Sequence, residues 1–420
     1  MVRLSGPESA HIAGALTDKP LPPPRQAGLR AVIGNDREVI DQALIITFPG
    51  PASFTGEEVV EIHAHGSPVV LEMIVAAAIA HGARRAQPGE FSQRAFLNNR
   101  IDLAQAEAIA DLIDASSRRA ARAAMRSLEG EFSRQVETLG ERIIDLRVYV
   151  EAALDFPDED IDFLADGQVL QRAGELADQI EQLLSRAARG RLLSHGLKIA
   201  IVGRPNAGKS SLFNALARRQ SAIVTPVPGT TRDVLRETVM IAGIHAELAD
   251  TAGLRATDDP IEREGVRRAE SELASADIVL WVVDDNDPNA ATAPCTEAPL
   301  IRVDNKIDIS GRAPGRYGDR VAISARTGAG LDALDRQVGE LVGLDAADES
   351  EFSARQRHIE ALSRAGEHVR AGMHEIAHSG SGELLAEELR AAADELGSIT
   401  GKISADELLG RIFSAFCIGK

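Results

Sequence analysis

Gly203-Arg204-Pro205-Asn206-Ala207-Gly208-Lys209-Ser210 decides how this chain is read. The stretch fits the phosphate-loop pattern GxxxxGK[ST]. It follows an apolar run, Leu197–Val202, and opens a helix at Ser211-Leu212-Phe213-Asn214-Ala215. Glycines let successive backbone N–H groups turn toward phosphate oxygens, and the helix N-terminus adds positive potential. In such a loop Lys209 reaches the β- and γ-phosphates and Ser210 holds Mg2+. Further elements follow in order. Asp250-Thr251-Ala252-Gly253 comes after the strand-like Ala246–Ala249. An aspartate there suits a water-mediated Mg2+ contact, and Gly253 can donate its N–H to a γ-phosphate. Asn305-Lys306-Ile307-Asp308 follows another strand, Leu300–Val303. The Asp308 carboxylate can accept both the ring N–H and the exocyclic amine of guanine, a pair adenine lacks. Ser324-Ala325-Arg326 ends the strand Arg320–Ile323, where backbone N–H groups can meet the guanine oxygen. Thr230-Thr231 stands between the first two motifs, where a switch threonine such as Thr231 holds Mg2+. Together these elements predict a GTP site. Leu254 occupies the position where Ras-type proteins carry the glutamine that orients water, so another group must do that work. Glu262 is a candidate, although read alone it is a solvated helix start.

Outward from this motif the texture changes on both sides. Short strands alternating with helices predict an α/β domain over residues 197–343. Before it, apolar residues recur in steps of three and four from Ile109 through Phe132, Ile143 and Leu154, which places them on one helix face. Pro157 in the acidic run Asp155–Asp162 breaks that pattern, and a second helix is expected from about Gly167 to Arg189. Residues 344–420 are helical again, with a break at Ser379-Gly380-Ser381-Gly382. The simplest arrangement is an α/β domain inserted between two halves of one helical domain (101–196 and 344–420), with four domains in series as the alternative. Residues 1–100 read as α+β: strands at Ala43–Phe48 and Val59–His63, a helix at Val69–Ala80, and a proline-rich loop at Lys19–Arg25.

Composition bounds the function. A chain of 420 residues suggests two to three domains, and 44% hydrophobic with 26% charged residues is globular. With 46 basic and 64 acidic side chains the net charge is −18, which disfavours a broad basic nucleic-acid surface but leaves room for a local one. Aromatics at 3% argue against base-stacking platforms. Two cysteines, Cys295 and Cys417, make neither a disulfide scaffold nor a four-cysteine zinc site, so a reducing, cytoplasmic compartment is expected. No apolar run approaches the roughly 20 residues of a membrane helix. Met1-Val2-Arg3-Leu4-Ser5-Gly6 reads like the interior of a domain rather than a signal peptide. His63 and His65 alternate without a third ligand and do not make a metal site.

The C-terminal Phe416-Cys417-Ile418-Gly419-Lys420, with a GTP-binding domain set into a helical one, resembles the MnmE (TrmE) family of tRNA-modification GTPases. Pro51-Ala52-Ser53-Phe54-Thr55-Gly56-Glu57-Glu58, Pro88-Gly89-Glu90-Phe91-Ser92, Asp102-Leu103-Ala104-Gln105-Ala106-Glu107-Ala108, Asp155-Phe156-Pro157 and Gly229-Thr230-Thr231-Arg232-Asp233 agree. The resemblance covers nearly the whole chain. Relatives begin earlier, with a strand and a Pro-Gly-Arg-Gly stretch ahead of Arg3-Leu4-Ser5-Gly6, so the start here is expected to be late or the domain shortened.

The resemblance implies a K+-activated GTPase. Two GTP-binding domains of a homodimer close face to face, and K+ takes the place of an arginine finger. By position, Asn206 ligates K+ with Thr225, Val227 and Thr230, on a loop that continues through Pro226, Pro228 and Gly229 to Thr231. Glu262 matches the residue that positions the attacking water. The nucleotide contacts implied span Asn206 to Ser211, Thr225 to Thr231, Asp250 to Gly253, Asn305, Lys306, Asp308 and Ser324 to Arg326. The N-terminal domain is implied to bind a formyl- or methylene-tetrahydrofolate through Arg3, Glu61 and Arg100, with the C-terminal Lys420 approaching. Cys417 matches the family's cysteine; read alone it is a buried thiol. With a flavoprotein partner of the MnmG (GidA) type, in a heterotetramer-like complex, the enzyme adds a carboxymethylaminomethyl-type group to C5 of the wobble uridine of certain tRNAs. At −18 much of the grip on tRNA is expected to come from that partner. A regulatory GTPase gating RNA or ribosomal-subunit binding is the competing reading; it lacks the folate-like domain and the Cys-Ile-Gly-Lys ending.

Overall fold

A computed structural model describes residues 1–155, 168–219, 236–250, 273–287, 293–296, 298–343 and 352–402. The chain clusters into two units: Met1–Ala110, Leu128–Val169 and Ala371–Lys420 form one, and Asp111–Ser127 with Leu170–Arg370 the other.

In the first unit, strands β1 (Val2–Ser5), β2 (Gly28–Ile33), β3 (Val39–Phe48) and β4 (Val59–His63) make an antiparallel sheet in the order β1-β4-β3-β2. Side chains alternate across a sheet, so each strand presents one face to the core. Val32, Ala43, Ile45, Val60 and Ile62 point inward and are buried with Ile12 and Leu16, around helix α1 (Ser9–Ala15), and Ile74 and Ala77 of α2 (Pro68–Ala80). Leu29 and Leu44, paired in register, are exposed on the other face. α3 (Glu90–Leu97) begins at Gly89, whose φ of 69° turns the chain into the helix.

The apolar stripe expected to run along one helix is divided among three: α4 (Leu103–Ile113), α5 (Arg118–Leu128) and α6 (Glu131–Asp155). Local chemistry sets the divisions. Asp102 and Gln105 cap α4 reciprocally: the Gln105 N–H donates to Asp102 Oδ1 and the Asp102 N–H to Gln105 Oε1. Ser117 Oγ accepts the Ala120 N–H at the start of α5. Gly130 at φ 84° separates α5 from α6. α6 buries Phe132, Val136, Leu139, Ile143, Leu146 and Val150 and packs against the helix that ends the described chain.

The second unit is α/β. α7 (Gln168–His195) leads into β5 (Leu197–Gly203), α8 (Lys209–Arg219), β6 (Arg236–Ile241), β7 (Ile244–Asp250), β8 (Ile278–Asp284), β9 (Leu300–Asn305), the short α9 (Ile307–Ser310), β10 (Gly315–Tyr317), β11 (Arg320–Ala322) and α10 (Leu331–Leu341). The seven-stranded sheet runs β10-β11-β9-β8-β5-β7-β6. Its inner strands are parallel, and β6 and β10 pair antiparallel at the edges. Parallel strands covered on both faces need continuous apolar runs, and Ile199, Ile201, Ile278, Leu280, Ile301 and Val303 are all buried. α11 (Gln356–Ser379) and α12 (Gly382–Thr400) follow; Ser381 Oγ caps α12. Among the described residues no helix is long and apolar enough to cross a membrane.

One contact in this unit has no slack. A Cβ on Gly190 of α7 would stand 2.1 Å from the carbonyl oxygen of Phe352. Gly190→Ala removes a helix-disfavouring residue, yet it is expected to destabilise the protein by about 1–3 kcal/mol, because backbone must move to admit the methyl. Urea denaturation of both forms checks this; an equal or raised midpoint would contradict the tight seat.

Candidate functional site

Parallel strands open their loops at one edge, and ligands of such sheets bind outside the carboxyl ends. β5 ends in the phosphate loop, β7 in Asp250, β9 in Asn305-Lys306-Ile307-Asp308, and Ser324-Ala325-Arg326 follows β11. β5 and β8 pair in register through Gly203 and Val282, and β8 and β9 through Asp284 and Asn305. The motifs separated in sequence therefore meet at one rim.

Within the loop, Asn206 takes a left-handed φ of 64° and Gly208 one of 96°. Lys209 Nζ donates to the Gly203 and Arg204 carbonyls at 2.9 and 3.0 Å, folded back over the loop. Ala207 is buried; Ser210 and Ser211 are exposed on the first turn of α8. Asn305, 2% exposed, holds the loop from the far side. Its Nδ2 donates to the Ala207 carbonyl at 3.0 Å, and its Oδ1 accepts the Ala325 N–H at 3.0 Å. A Cβ on Gly208 would lie 2.2 Å from that Nδ2, so only glycine fits.

Lys306, at φ 68°, turns the chain so that its ammonium reaches Asp284 Oδ2 at 2.7 Å. Asp308 has both carboxylate oxygens engaged. Ser324 Oγ donates to Oδ1 at 2.6 Å, and Arg326 Nη2 lies 2.5 Å from Oδ2. The Ser324 hydroxyl first, and then the Arg326 guanidinium, hold this carboxyl below its ordinary range. Thr225, Pro226, Val227, Pro228, Gly229, Thr230, Thr231, Thr251, Ala252, Gly253, Glu262, Cys417 and Lys420 lie outside the described residues, and Asp250 is described only as the last residue of β7. The loop's left-handed residues, its lysine and the exposed Ser210 suit a nucleotide phosphate chain with Mg2+.

The N-terminal candidates divide. Arg3 and Glu61 are register partners on β1 and β4, and Arg3 donates to Glu61 Oε1 through Nε and Nη2 at 2.9 and 2.7 Å. Glu61 also meets His63 Nε2 at 3.0 Å and is only 16% exposed at the side chain. Read alone as a solvent-facing strand residue, Glu61 is instead clasped across the sheet. Arg100 is exposed after α3, its stem beside Gly56. His65 goes to Asp41 rather than to His63, and no group of three metal-ligating side chains occurs among the described residues.

A cavity of about 590 Å³ opens beside Arg3, lined also by Ile12, Val75, Ile79, Arg84, Phe91 and Arg94; neither Glu61 nor Arg100 lines it. Arg3 sits 5.6 Å over both the Phe54 and Phe91 rings. Glu8, Glu72 and Glu90 line it too, Glu72 paired with Arg85 and Glu90 with Arg84 and Arg94, so the mixed charged wall around an apolar floor suits a polar molecule with an aromatic body, and a folate is one such molecule. Sequence reasoning missed the network behind it. Glu90 accepts from Arg84, from Arg94 and from the Gln87 N–H, and Arg94 continues to Glu57 at 2.9 Å. The Arg84 hydrogen bond, above the other contacts, brings the Glu90 pKa from 4.5 to about 2. The Pro88-Gly89-Glu90 turn was the available signal, but its partner Glu57 is remote in sequence.

A depressed carboxyl contributes stability that is fully present above pH 4.5 and lost as pH falls toward 2. Glu90→Gln should therefore lower the denaturation midpoint at pH 7 and flatten its fall between pH 5 and pH 3. Denaturant melts across that window check this; parallel curves for both forms would contradict the paired state.

Models of two protein families match the chain: GTP-binding protein TrmE N-terminus over residues 1–100 and MnmE helical domain over residues 103–417. The chain is 51% identical over 437 residues to the tRNA modification GTPase MnmE of Stutzerimonas stutzeri (strain A1501), covering all of this chain and 95% of that one. It is 49% identical over 428 residues to that of Legionella pneumophila (strain Corby), covering all of this chain and 96% of the other. Among solved structures, a variant of Aquifex aeolicus Era bound to GDP.AlF4- is 26% identical, with a TM-score of 0.29, over 41% of this chain and 66% of that one. The G domain of the T. maritima FeoB iron transporter is 27% identical, with a TM-score of 0.26, over 34% and 97%.

Proposed function

This chain belongs to the MnmE family of tRNA modification GTPases, and on that premise we propose that it is a K+-activated GTP hydrolase acting with a flavoprotein partner on the wobble uridine of tRNA. The observation that carries the reading is the Asn305 carboxamide, which holds the phosphate loop and the Ser324–Arg326 loop at one rim beside Asp308. Lys209 exchanges its loop carbonyls for the β- and γ-phosphates. Ser210 and Thr231 hold Mg2+. Asp308 takes the guanine N–H groups. Asn206, at the left-handed turn of the loop, is the described member of a K+ set completed by Thr225, Val227 and Thr230. K+ there supplies the positive charge an arginine finger would bring to the transition state. Glu262 orients the attacking water. Cys417 and Lys420 belong to the modification chemistry rather than to hydrolysis.

The α+β domain, residues 1–100, takes the folate at the Arg3 cavity, which supplies the one-carbon unit when bound. Arg3 and Arg94 would hold its acidic tail and Phe91 would meet its rings, while Glu61 fixes Arg3; Arg100, outside the cavity lining, remains the third residue expected to contact the ligand. The working unit is a cytoplasmic homodimer whose GTP-binding domains close during turnover, so hydrolysis drives a change of shape across the complex.

GTP turnover in KCl against NaCl at equal ionic strength tests the cation. The expected stimulation is about ten-fold or more and is absent in Asn206→Ala. Equal rates in both salts would refute the K+ reading. Base selection is tested separately. Asp308→Asn should weaken GTP on the order of a hundred-fold, because two hydrogen bonds to a carboxylate are lost. It should gain xanthosine triphosphate, whose extra carbonyl accepts from the new amide. Unchanged GTP affinity would place guanine elsewhere.

A further inference from the structure

Two successive carboxylates, Asp284 and Asp285, close β8 outside the nucleotide motifs. Strand register sets their place. Asp284 stands opposite Asn305, the last residue of β9, and the Asp285 N–H donates to the Asn305 carbonyl at 2.9 Å. The chain continues from Asn305 into Lys306, so the two carboxylates flank the turn that carries Asp308. Asp285, 9% exposed at the side chain, ties down the exit of that turn. It accepts from Ser310 Oγ at 2.5 Å and pairs with Arg312 at 2.7 Å. Asp284 takes the entry. Its Oδ2 accepts from Lys306 Nζ at 2.7 Å, and its Oδ1 accepts from the Asn286 N–H at 3.0 Å and from Asn286 Nδ2 at 3.1 Å. The carboxylate therefore cannot turn from the lysine without leaving Asn286. Burial works against its charge, yet the Lys306 hydrogen bond and then the Asn286 N–H hold this carboxyl below its ordinary range.

The tether decides where the Lys306 stem lies. The backbone at Lys306 is left-handed, and its side chain runs beside the phosphate loop: a Cβ on Gly208 would stand 3.9 Å from Lys306 Cε. A lysine stem is apolar and can cover a flat ligand face while its ammonium stays solvated or paired. It also carries a large rotamer entropy. A partner that orders it before the ligand arrives removes that cost from binding.

We propose that Asp284 is a positioning residue for the nucleotide: it holds Lys306 stretched between the guanine motif and the phosphate loop, so that the stem is already laid as an apolar surface when the base enters. The inference rests on the GTP reading of this rim and adds a residue that lies outside the motifs. Asp284 acts through Lys306 and touches no nucleotide atom itself. A hydrocarbon stem does not read the edge of a base, so the effect falls equally on guanine and hypoxanthine nucleotides, whereas Asp308 distinguishes them.

The test is displacement of mant-GDP from the full-length protein by GDP and by IDP, whose base lacks the exocyclic amine. Asp284→Ala should weaken both by about three- to ten-fold, the cost of ordering one long side chain on binding, with their ratio unchanged. Removing a negative charge near an anionic ligand would by itself strengthen binding, so a loss reports the tether rather than simple electrostatics. Asp284→Glu keeps the charge and should recover most of the loss. Lys306→Met keeps an apolar stem without the ammonium, so adding Asp284→Ala to it should cost about two-fold or less. Asp319→Ala removes a carboxylate that is 92% exposed in the same unit and should weaken neither nucleotide. In GTP turnover Asp284→Ala should raise KM with little change in kcat.

GDP bound equally well by wild type and Asp284→Ala overturns the proposal while leaving the GTP reading standing. An equal loss in the wild-type and Lys306→Met backgrounds overturns it too, because Asp284 would then act independently of the lysine. So does a changed ratio of GDP to IDP affinity, which would place the effect on the edge read by Asp308. Thermal melts expose a merely structural role: a loss that tracks a lowered midpoint and is not recovered in Asp284→Glu counts against positioning. Wild type with no saturable mant-GDP binding refutes the GTP reading and this proposal with it.

Discussion

The nucleotide rim depends on one buried carboxamide. Asn305 ends β9 with its side chain shielded from water, and its two ends meet backbone groups on either side. A buried amide left unpaired is costly, so the geometry that satisfies both ends is strongly preferred. That geometry fixes the distance between the phosphate loop and the loop after β11. It also explains why Gly208 has no room for a side chain: the amide occupies the space. The parallel sheet supplies the coarse placement, since its strands deliver their loops to the same edge, and Asn305 supplies the fine adjustment.

Charge in this protein is organised by pairing rather than by avoidance. Asp304 is 1% exposed and takes Arg302 at 2.8 Å and Arg312 at 2.9 Å. Glu90 in the α+β domain is clasped by Arg84 and Arg94. Isolated carboxylates at such depth would take up protons instead. The guanidinium fork makes the deep sites possible because it can meet two oxygens at once.

Much of the α/β unit was legible from sequence. Leu197–Val202, Ile278–Val283 and Leu300–Val303 are observed as Leu197–Gly203, Ile278–Asp284 and Leu300–Asn305, because doubly covered strands must be apolar throughout. Asn305, Asp308, Ser324, Ala325 and Arg326, singled out because the chemistry of phosphate and guanine restricts residue type and order, do meet one another at one rim of the sheet, with Lys306 between them. The stripe from Ile109 to Leu154 misled because steps of three and four persist across the turns between α4, α5 and α6. Capping by Asp102, Gln105 and Ser117, which acts over three residues, outweighed the long period. β1 is too short to show an alternation, so Arg3 was seen without its strand. The pairing of Glu61 with Arg3 was not legible because the two lie 58 residues apart. The same distance problem hid the Arg84–Glu90–Arg94 cluster and the meeting of α5 with Phe352–Arg355, which no local pattern announces.

Arg326 gives the Asp308 carboxylate an unusual resting condition. Its guanidinium lies against Oδ2 of Asp308, and its side chain is 76% exposed and so has room to swing outward. When the base departs, Asp308 is not left as a bare anion. It recovers a cation from its own loop. The contact of so exposed a cation is weak, so any donor that competes for the carboxylate displaces it at little cost.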